Sequence, residues 1–291
     1  MAASNAKRAV VVTGASTGIG RAIVDELLRQ GFQVFGSVRK AADAERLAHE
    51  LGANFTPLQF DVTDEAAVAR AAALVKQTLA GRALFGLVNN AGMPSGGPLM
   101  HQPPAELTEI LQVNTVGQLI VTQAFLPMLG AERGFSGQPG RIVNISSVGG
   151  RLVAPFAGAY QASKHALEAL SDALRRELMI YGIDVVVIEP GAVITPIWDK
   201  AEAIDTTRYA NTDYAPAMKR FYDWFFTTGR SGLPASRIGE LTCRALTAPK
   251  PRARYVILRR KFFNWTIPRN LPDRWLDRIM ARSIGLNRLP R

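Results

Sequence analysis

Ala9-Val-Val-Val-Thr-Gly-Ala-Ser-Thr-Gly-Ile-Gly20 is the stretch on which the reading of the whole chain turns. Ala9 to Val12 is a short, mostly β-branched apolar run, the signature of a buried strand. Glycines at 14, 18 and 20 follow, and after them the apolar period Ile23, Leu27, Leu28 of a helix. A strand that passes through a glycine turn into a helix collects unpaired backbone N–H groups and the positive end of a helix dipole at one point. That point suits a pyrophosphate, because glycine lets the backbone come close to it. The spacing is Gly-x-x-x-Gly-x-Gly, not the commoner Gly-x-Gly-x-x-Gly, and a tight turn that binds nothing would use the same residues.

Outward from this turn, strands and helices alternate. Gln33–Val38, Phe55–Phe60, Ala83–Val88, Arg141–Ser146, Ile183–Ile188 and Arg254–Leu258 read as further strands. Composition and the 3.6-residue period predict helices over Ala41–Leu51, Ala66–Leu79, Ala105–Leu129 in two pieces, and Ala162–Tyr181. Such alternation implies an α/β fold with a parallel sheet of about seven strands covered on both faces. Ligands of these sheets sit at the carboxyl ends of the strands. There the sequence places Arg39-Lys40, Asp61-Val62, Asn89-Asn-Ala-Gly92, Ser147 and Pro190-Gly191. The acid that would hold the ribose hydroxyls of NAD is missing where it is expected, at Val38, and the adjacent Arg39 suits a 2′-phosphate. NADP(H) is therefore favoured, with NAD(H) as the alternative and a solvated Arg-Lys pair as the plain reading. Asp61 falls near where an adenine amino group would lie.

Ser147, Tyr160 and Lys164 form the second informative spacing. Four residues apart on a helix, Tyr160 and Lys164 project from one face and set an ammonium beside a phenol. A free phenol titrates near 10, and lowering it by about three units takes about 4 kcal/mol, which a lysine and a cationic cofactor ring at short range can supply. A surface tyrosine and lysine on an amphipathic helix would show the same spacing. Asn114, inside a helical stretch, is mildly unfavourable there, because its amide competes for backbone groups. That invites a functional reading, with a satisfied core amide as the plain one.

Composition narrows the classes. A chain of 291 residues can bury a sizeable core, and Cys243, the single cysteine, excludes an internal disulfide framework and a cysteine-rich metal site. No apolar run reaches signal-peptide or spanning length, so a cytoplasmic location is expected. The net charge of +11 is uneven: from Lys250 onward 12 Lys or Arg face Asp273 and Asp277, a balance of +10. The preceding 249 residues carry only +1. A local basic surface of this kind meets phosphate head groups, nucleic acid or an acidic partner.

Thr13–Gly20, Asn89–Gly92, Asn114, Ser147, Tyr160, Lys164 and Pro190-Gly191 stand in an order and spacing that resembles the short-chain dehydrogenase/reductase family, across roughly residues 8 to 195. The resemblance implies a Rossmann-type doubly wound sheet and an NAD(P)-dependent oxidoreductase with no metal. It implies that Tyr160 is the acid in reduction and the base in oxidation, and that Ser147 orients the carbonyl and stabilises oxyanion charge. Lys164 would lower the Tyr160 pKa and hold the nicotinamide ribose, while Asn114 would support a water linking Lys164 to solvent. The implied dinucleotide contacts are Gly14, Ser16, Thr17, Gly18, Ile19, Gly20, Arg39, Asp61, Val62, Asn89, Ala91, Gly92, Tyr160, Lys164, Pro190, Gly191, Val193 and Thr195. Homo-oligomers are common in the family. A dinucleotide-binding sensor without turnover is the alternative, and the complete set of Asn114, Ser147, Tyr160 and Lys164 argues against it.

The chain divides into residues 1–258, with a lid over about 195–232, and a basic amphipathic extension over 259–291. Between Trp198 and Phe226 aromatic residues are dense, and Pro216 in a first turn and Gly229 as a C-cap predict a lid helix over Ala215–Thr228. This favours a lipophilic substrate similar to those of hydroxysteroid and retinol dehydrogenases; packing of the lid onto the core, or a small polar ketone, is the alternative. In the extension, Phe262, Phe263 and Trp265 sit among arginines, and a helix is expected over Pro272–Ile284 with Trp275, Leu276, Ile279 and Met280 on one face. Such a segment suits an anionic membrane surface, or a cap over the substrate cavity. No module that reads nucleic-acid bases is visible.

Overall fold

The computed structural model describes residues 7–286; the ends of the two expected segments, 1–6 and 287–291, lie outside the described residues. The strands are β1 (Ala9–Val12), β2 (Gln33–Val38), β3 (Phe55–Gln59), β4 (Gly86–Asn89), β5 (Arg141–Ile145), β6 (Asp184–Pro190), β7 (Val193–Ile194), β8 (Leu233–Pro234) and β9 (Arg254–Ile257). Seven of them form one sheet in the order β3-β2-β1-β4-β5-β6-β9, and β7 and β8 pair separately. Every pairing is parallel. The register sets Val12 beside Val88, Asn89 beside Asn144, and Ile145 beside Ile188. Strand ends that carry Thr13, Asn89, Ser146 and Pro190 are thereby aligned along one edge. Between β1 and β4 the strand order reverses, which opens the crevice where such sheets take ligands.

Two-residue alternation on each strand divides the core. Val10 and Val12 face α1 (Gly18–Arg29), α2 (Ala41–Leu51) and α9 (Ser236–Thr247); Ala9 and Val11 face α3 (Glu65–Leu79), α5 (Gly117–Phe125) and α6 (Gly158–Glu177). All four β1 side chains are buried, each valine contributing about 1.5 kcal/mol or more over exposure. The expected helix over Ala105–Leu129 is α4 (Pro104–Leu111), a π-helical turn over Gln112–Val116, and α5. The helix expected from Ala162 starts at Gly158, so Tyr160 lies in its first turn, and it closes in a 3₁₀ turn over Leu178–Tyr181.

The segment expected as a lid contains α7 (Ile197–Glu202) and α8 (Ala215–Arg230). Gly229, expected as the C-cap of α8, is instead buried inside it. A Cβ there would come within 2.4 Å of the Trp198 ring, so the glycine makes a seat for that indole. α10 (Ile267–Asn270) and α11 (Asp273–Ile284) follow β9, and α11 ends at Gly285 with φ 76°. Ile284 is buried in a third apolar cluster with Phe156, Tyr209, Met218 and Phe221, and Arg220 Nε donates to its carbonyl at 3.1 Å. The end of α11 therefore packs on α8. Trp275 and Ile279 lie on the outer side, exposed together with Phe262 and Phe263.

Candidate active site

At the end of β1 the chain is held open for a ligand. Gly14 has φ +67°, and a Cβ on Gly20 would stand 2.1 Å from the Gly14 carbonyl oxygen, so the turn closes only without side chains there. Thr13 Oγ1 accepts from the amides of Asn90 and Ala91 at 2.9 and 3.0 Å, and Asn90 Nδ2 donates to the Thr13 carbonyl at 2.9 Å. Gly14 N donates to Ser37 Oγ at 3.1 Å. The turn is thus braced from β2 and β4. Thr17 makes no capping bond to α1, which leaves the amides of Gly18, Ile19 and Gly20 pointing at whatever lies beyond the turn, beside Ser16. Thr195 closes the opposite side: a Cβ on Gly18 would be 3.2 Å from Thr195 Cβ.

At the outer end, Arg39 is exposed and its Nη1 lies 3.8 Å from Asp61 Oδ2. Asp61 Oδ1 accepts from Thr63 N and Oγ1 at 3.0 and 2.8 Å. Burial pushes the Asp61 carboxyl up, but those two bonds and the Arg39 charge together hold it below the usual carboxylate range. A cleft of about 820 Å³ opens here, lined by Arg39, Asp61, Met93, Pro94, Gln112 and Lys200 among others. Val62 is buried against Gly117. Asn89 turns inward: its Nδ2 donates to Thr122 Oγ1 and Asn144 Oδ1, both at 2.9 Å, so only its main chain faces the crevice. Ala91 gives its carbonyl to Gln118 Nε2 at 3.2 Å. Gly92 sits tightly against the site, with Asn114 Oδ1 and Lys164 Nζ 3.1 and 3.8 Å from its Cβ position.

Tyr160 and Lys164 do share one face of α6. Ser147, two residues past β5, accepts from Gly149 N at 3.0 Å and presents its hydroxyl to the Tyr160 phenol. Lys164 is buried, its Nζ 6.0 Å from the Tyr160 ring centroid and donating to the Ile145 carbonyl at 3.0 Å. Asn114 sits in the π-helical turn, wholly buried, its Oδ1 accepting from Met93 N at 2.9 Å and its Nδ2 donating to Ser163 Oγ at 3.0 Å. The wider turn, a common device at functional sites, aims this amide at the loop after β4. Gly191 N donates to the Ile257 carbonyl at 2.9 Å, fixing the Pro190-Gly191 turn, and Trp198 Nε1 donates to the Val193 carbonyl at 2.7 Å.

In the protein itself burial dominates and raises the Tyr160 phenol, with the Ser147 hydroxyl opposing. Burial also depresses Lys164 to about 8, opposed by the charge of Glu168. A desolvated phenol beside a partly discharged lysine stays protonated, so any depression of Tyr160 must come with a bound cation. Three residues that hold the site were missed. Thr13 and Asn90 act through their side chains on the turn, and Ser163 takes the Asn114 amide while donating to the Tyr160 carbonyl at 2.6 Å. Ser163 carried one usable signal, lying between Tyr160 and Lys164 on a buried helix face.

The set fits a dinucleotide: uncapped helix amides for a pyrophosphate, a cradle with no space for side chains, and a guanidinium beside the outer ribose position. Comparison with known proteins agrees. The family model described as short chain dehydrogenase matches residues 8–205. The chain is 40% identical to an NADPH-dependent 3-dehydrocapnine reductase of Ornithobacterium rhinotracheale, over 95% of this chain and 97% of that one. It is 36% identical to human retinol dehydrogenase 5, over 84% of this chain and 79% of that one. A short-chain dehydrogenase structure from Streptomyces avermitilis superposes with a TM-score of 0.76 at 27% identity, covering 98% of this chain and 100% of that one. With the doubly wound sheet, the glycine turn and the Ser147, Tyr160, Lys164 set in place, the chain belongs to the short-chain dehydrogenase/reductase family of oxidoreductases.

Proposed function

We propose that this protein is an NADPH-dependent reductase of a carbonyl group in a lipophilic molecule. The observation that carries this is the half-buried Tyr160 phenol, faced by the Ser147 hydroxyl and followed one helical turn on by the buried Lys164. A protonated phenol is competent to give its proton to a carbonyl oxygen, and Ser147 can donate to the same oxygen as it gains charge. NADPH, when bound, supplies the hydride. In this reading Gly14, Ser16, Thr17, Gly18, Ile19 and Gly20 would hold the pyrophosphate, with Val62, Asn89, Ala91 and Gly92 beyond it. Lys164 would hold the nicotinamide ribose, and Pro190, Gly191, Val193 and Thr195 would contact the nicotinamide end. Asn114 fastens the Met93 main chain beside Lys164.

Arg39 supports the 2′-phosphate form, as does the NADPH dependence named for the relative from Ornithobacterium. The aromatic lid supports a lipophilic substrate: Phe221 stacks on Phe225 at 5.3 Å, Trp198 meets Phe225 edge-on at 5.0 Å, and Phe156 meets Phe221 at 5.7 Å. The retinol dehydrogenase relative points the same way. Exposed Phe262, Phe263, Trp275 and Ile279, beside Arg260, Lys261, Arg274 and Arg278, support docking of the extension on an anionic membrane surface. Among the described residues no helix is long and apolar enough to cross a membrane.

NADPH and NADH oxidation against a panel of steroid ketones, retinal, long-chain aldehydes and small polar ketones tests the reading. Turnover of the lipophilic carbonyls with NADPH preferred is expected. Turnover restricted to small polar ketones would overturn the substrate class, and silence with NADPH bound would overturn catalysis.

A further inference from the structure

Behind Lys164, on the side away from the crevice, lies a group of charges that the proposed chemistry does not use. Glu168 follows Lys164 by one helical turn, and its side chain is 6% exposed. Glu168 Oε2 accepts from Arg254 Nε of β9 at 3.0 Å and lies 3.7 Å from Arg151 Nε of the 3₁₀ turn after Ser147. Glu189 enters from the end of β6, 1% exposed, 3.5 Å from Arg254 Nε and 3.8 Å from Arg151 Nε. Neither of its oxygens has a hydrogen-bond partner among the described residues. Asp172, one turn further along α6, takes Arg254 Nη2 at 2.9 Å, and Arg269 of α10 acts on Glu189 from outside. The Glu168 stem is fixed: the Cβ position of Gly150 is filled by Ser146 Oγ, Glu168 Cγ and the Lys164 carbonyl at 2.8, 3.1 and 3.1 Å.

Two buried carboxylates share the same arginines. Glu168 holds a direct charge-assisted bond from Arg254 and Glu189 holds none, so Glu189 is the one pushed toward its protonated form. Burial first, and then the Glu168 charge, push Glu189 up to about 7. Lys164 meets the opposite problem, an ammonium buried with one carbonyl acceptor among the described residues. A buried charge is expensive unless a counter-charge stands close by. Around it are Tyr160 and Asn114 on the crevice side, and Glu168 is the acid nearest to it along its own helix.

We propose that Glu168 is the positioning residue for Lys164: its carboxylate, anchored by Arg254 and Arg151 one turn behind the ammonium, is the counter-charge that lets the chain bury that lysine as a cation at the active site. The proposal rests on the reading of Lys164 as an active-site cation. It makes Glu168, Arg151 and Arg254 part of one device that reaches from the sheet edge to the crevice.

The test reads the lysine directly. In protein labelled with [ε-¹³C]lysine, the Lys164 resonance is assigned by its loss in Lys164→Arg and followed with pH. In the parent protein the midpoint is expected at about 8. In Glu168→Gln it should fall by about one pH unit or more, a tenfold rise in the acid dissociation constant. Glu168→Asp, which keeps the charge and retracts it by one methylene, should give an intermediate midpoint, and it serves if the glutamine variant does not fold. In turnover with NADPH and a lipophilic carbonyl, the alkaline limb of the pH profile should move down with the midpoint, and lost activity should return as pH is lowered. If Glu168 only fastens β9 to α6, the variants lose stability while the Lys164 midpoint stays in place, and the proposal falls. Silence across the carbonyl panel overturns the reductase reading and leaves the titration to decide this one.

Discussion

The carboxyl edge of the sheet and the lid above it are made in opposite ways. At the edge, buried polar side chains are tied by directional bonds: Asn89, Asn114, Asn144, Ser163 and Lys164 each bond a named partner, and each is 5% exposed or less. The lid is held by aromatic edges and faces, by Trp198 seated on Gly229, and by the Arg208–Glu106 pair at 2.5 and 2.9 Å on its rim. Directional bonds fix atoms to fractions of an ångström, whereas aromatic packing tolerates substitution as long as volume is kept. The difference teaches where chemistry and selectivity reside: a reaction common to many substrates needs the first kind of construction, and the choice among substrates needs the second.

Four experiments press on that contrast. The largest effect belongs to the edge: Tyr160→Phe removes the proton donor and should cost about 10²- to 10⁴-fold in kcat, with NADPH affinity measured by fluorescence nearly unchanged. Activity surviving at parent level would show that another group gives the proton. Next is Glu189→Gln. A carboxyl raised to about 7 in the fold adds stability that is present at low pH and lost as pH rises from its ordinary value through about 7. The unfolding free energy of the parent, read from urea titrations, should therefore fall between pH 5 and pH 8 by up to about 3 kcal/mol, and lose that fall in the variant. Parallel curves for the two proteins would break the assignment of the proton to Glu189.

Arg39→Ala comes third, with an expected loss of about 10- to 100-fold in KM for NADPH and little change for NADH. Equal losses for both coenzymes would mean that Arg39 meets something other than a 2′-phosphate. Smallest is Arg208→Ala at the lid rim, a half-exposed pair worth about 1 kcal/mol or less in stability. Its effect should appear in KM for the lipophilic carbonyl and leave kcat alone, and a fall in kcat would move the lid into the chemistry.

The same contrast explains what the sequence disclosed. The sheet, its order of elements and the crevice were legible because period-two apolar runs and glycine spacing act locally, as in Ala9 to Gly20. Tyr160, Lys164 and Ser147 were legible because one helix and one strand end present them. Thr13 and Asn90 were not, because each works by bonding a residue more than 70 positions away. Gly229 was misplaced for a related reason: its glycine signal is that of a cap, yet the space it leaves is taken by Trp198, from another helix. The direction of the Tyr160 shift depended on how deeply the phenol is buried, and burial is a property of the finished fold.

Arg254 stands on β9, the last strand to join the sheet, and it bonds both Glu168 and Asp172 of α6. During synthesis on the ribosome, α6 and β6 emerge long before that arginine does. Until β9 docks, Glu168 and Glu189 share only Arg151, so the interior around the active-site lysine is left short of positive charge. The surroundings of Lys164 are therefore completed by a strand translated after the whole Ser147, Tyr160, Lys164 set. A product cut short before residue 254 would keep every residue of the Ser147, Tyr160, Lys164 set and still lack the setting in which they work.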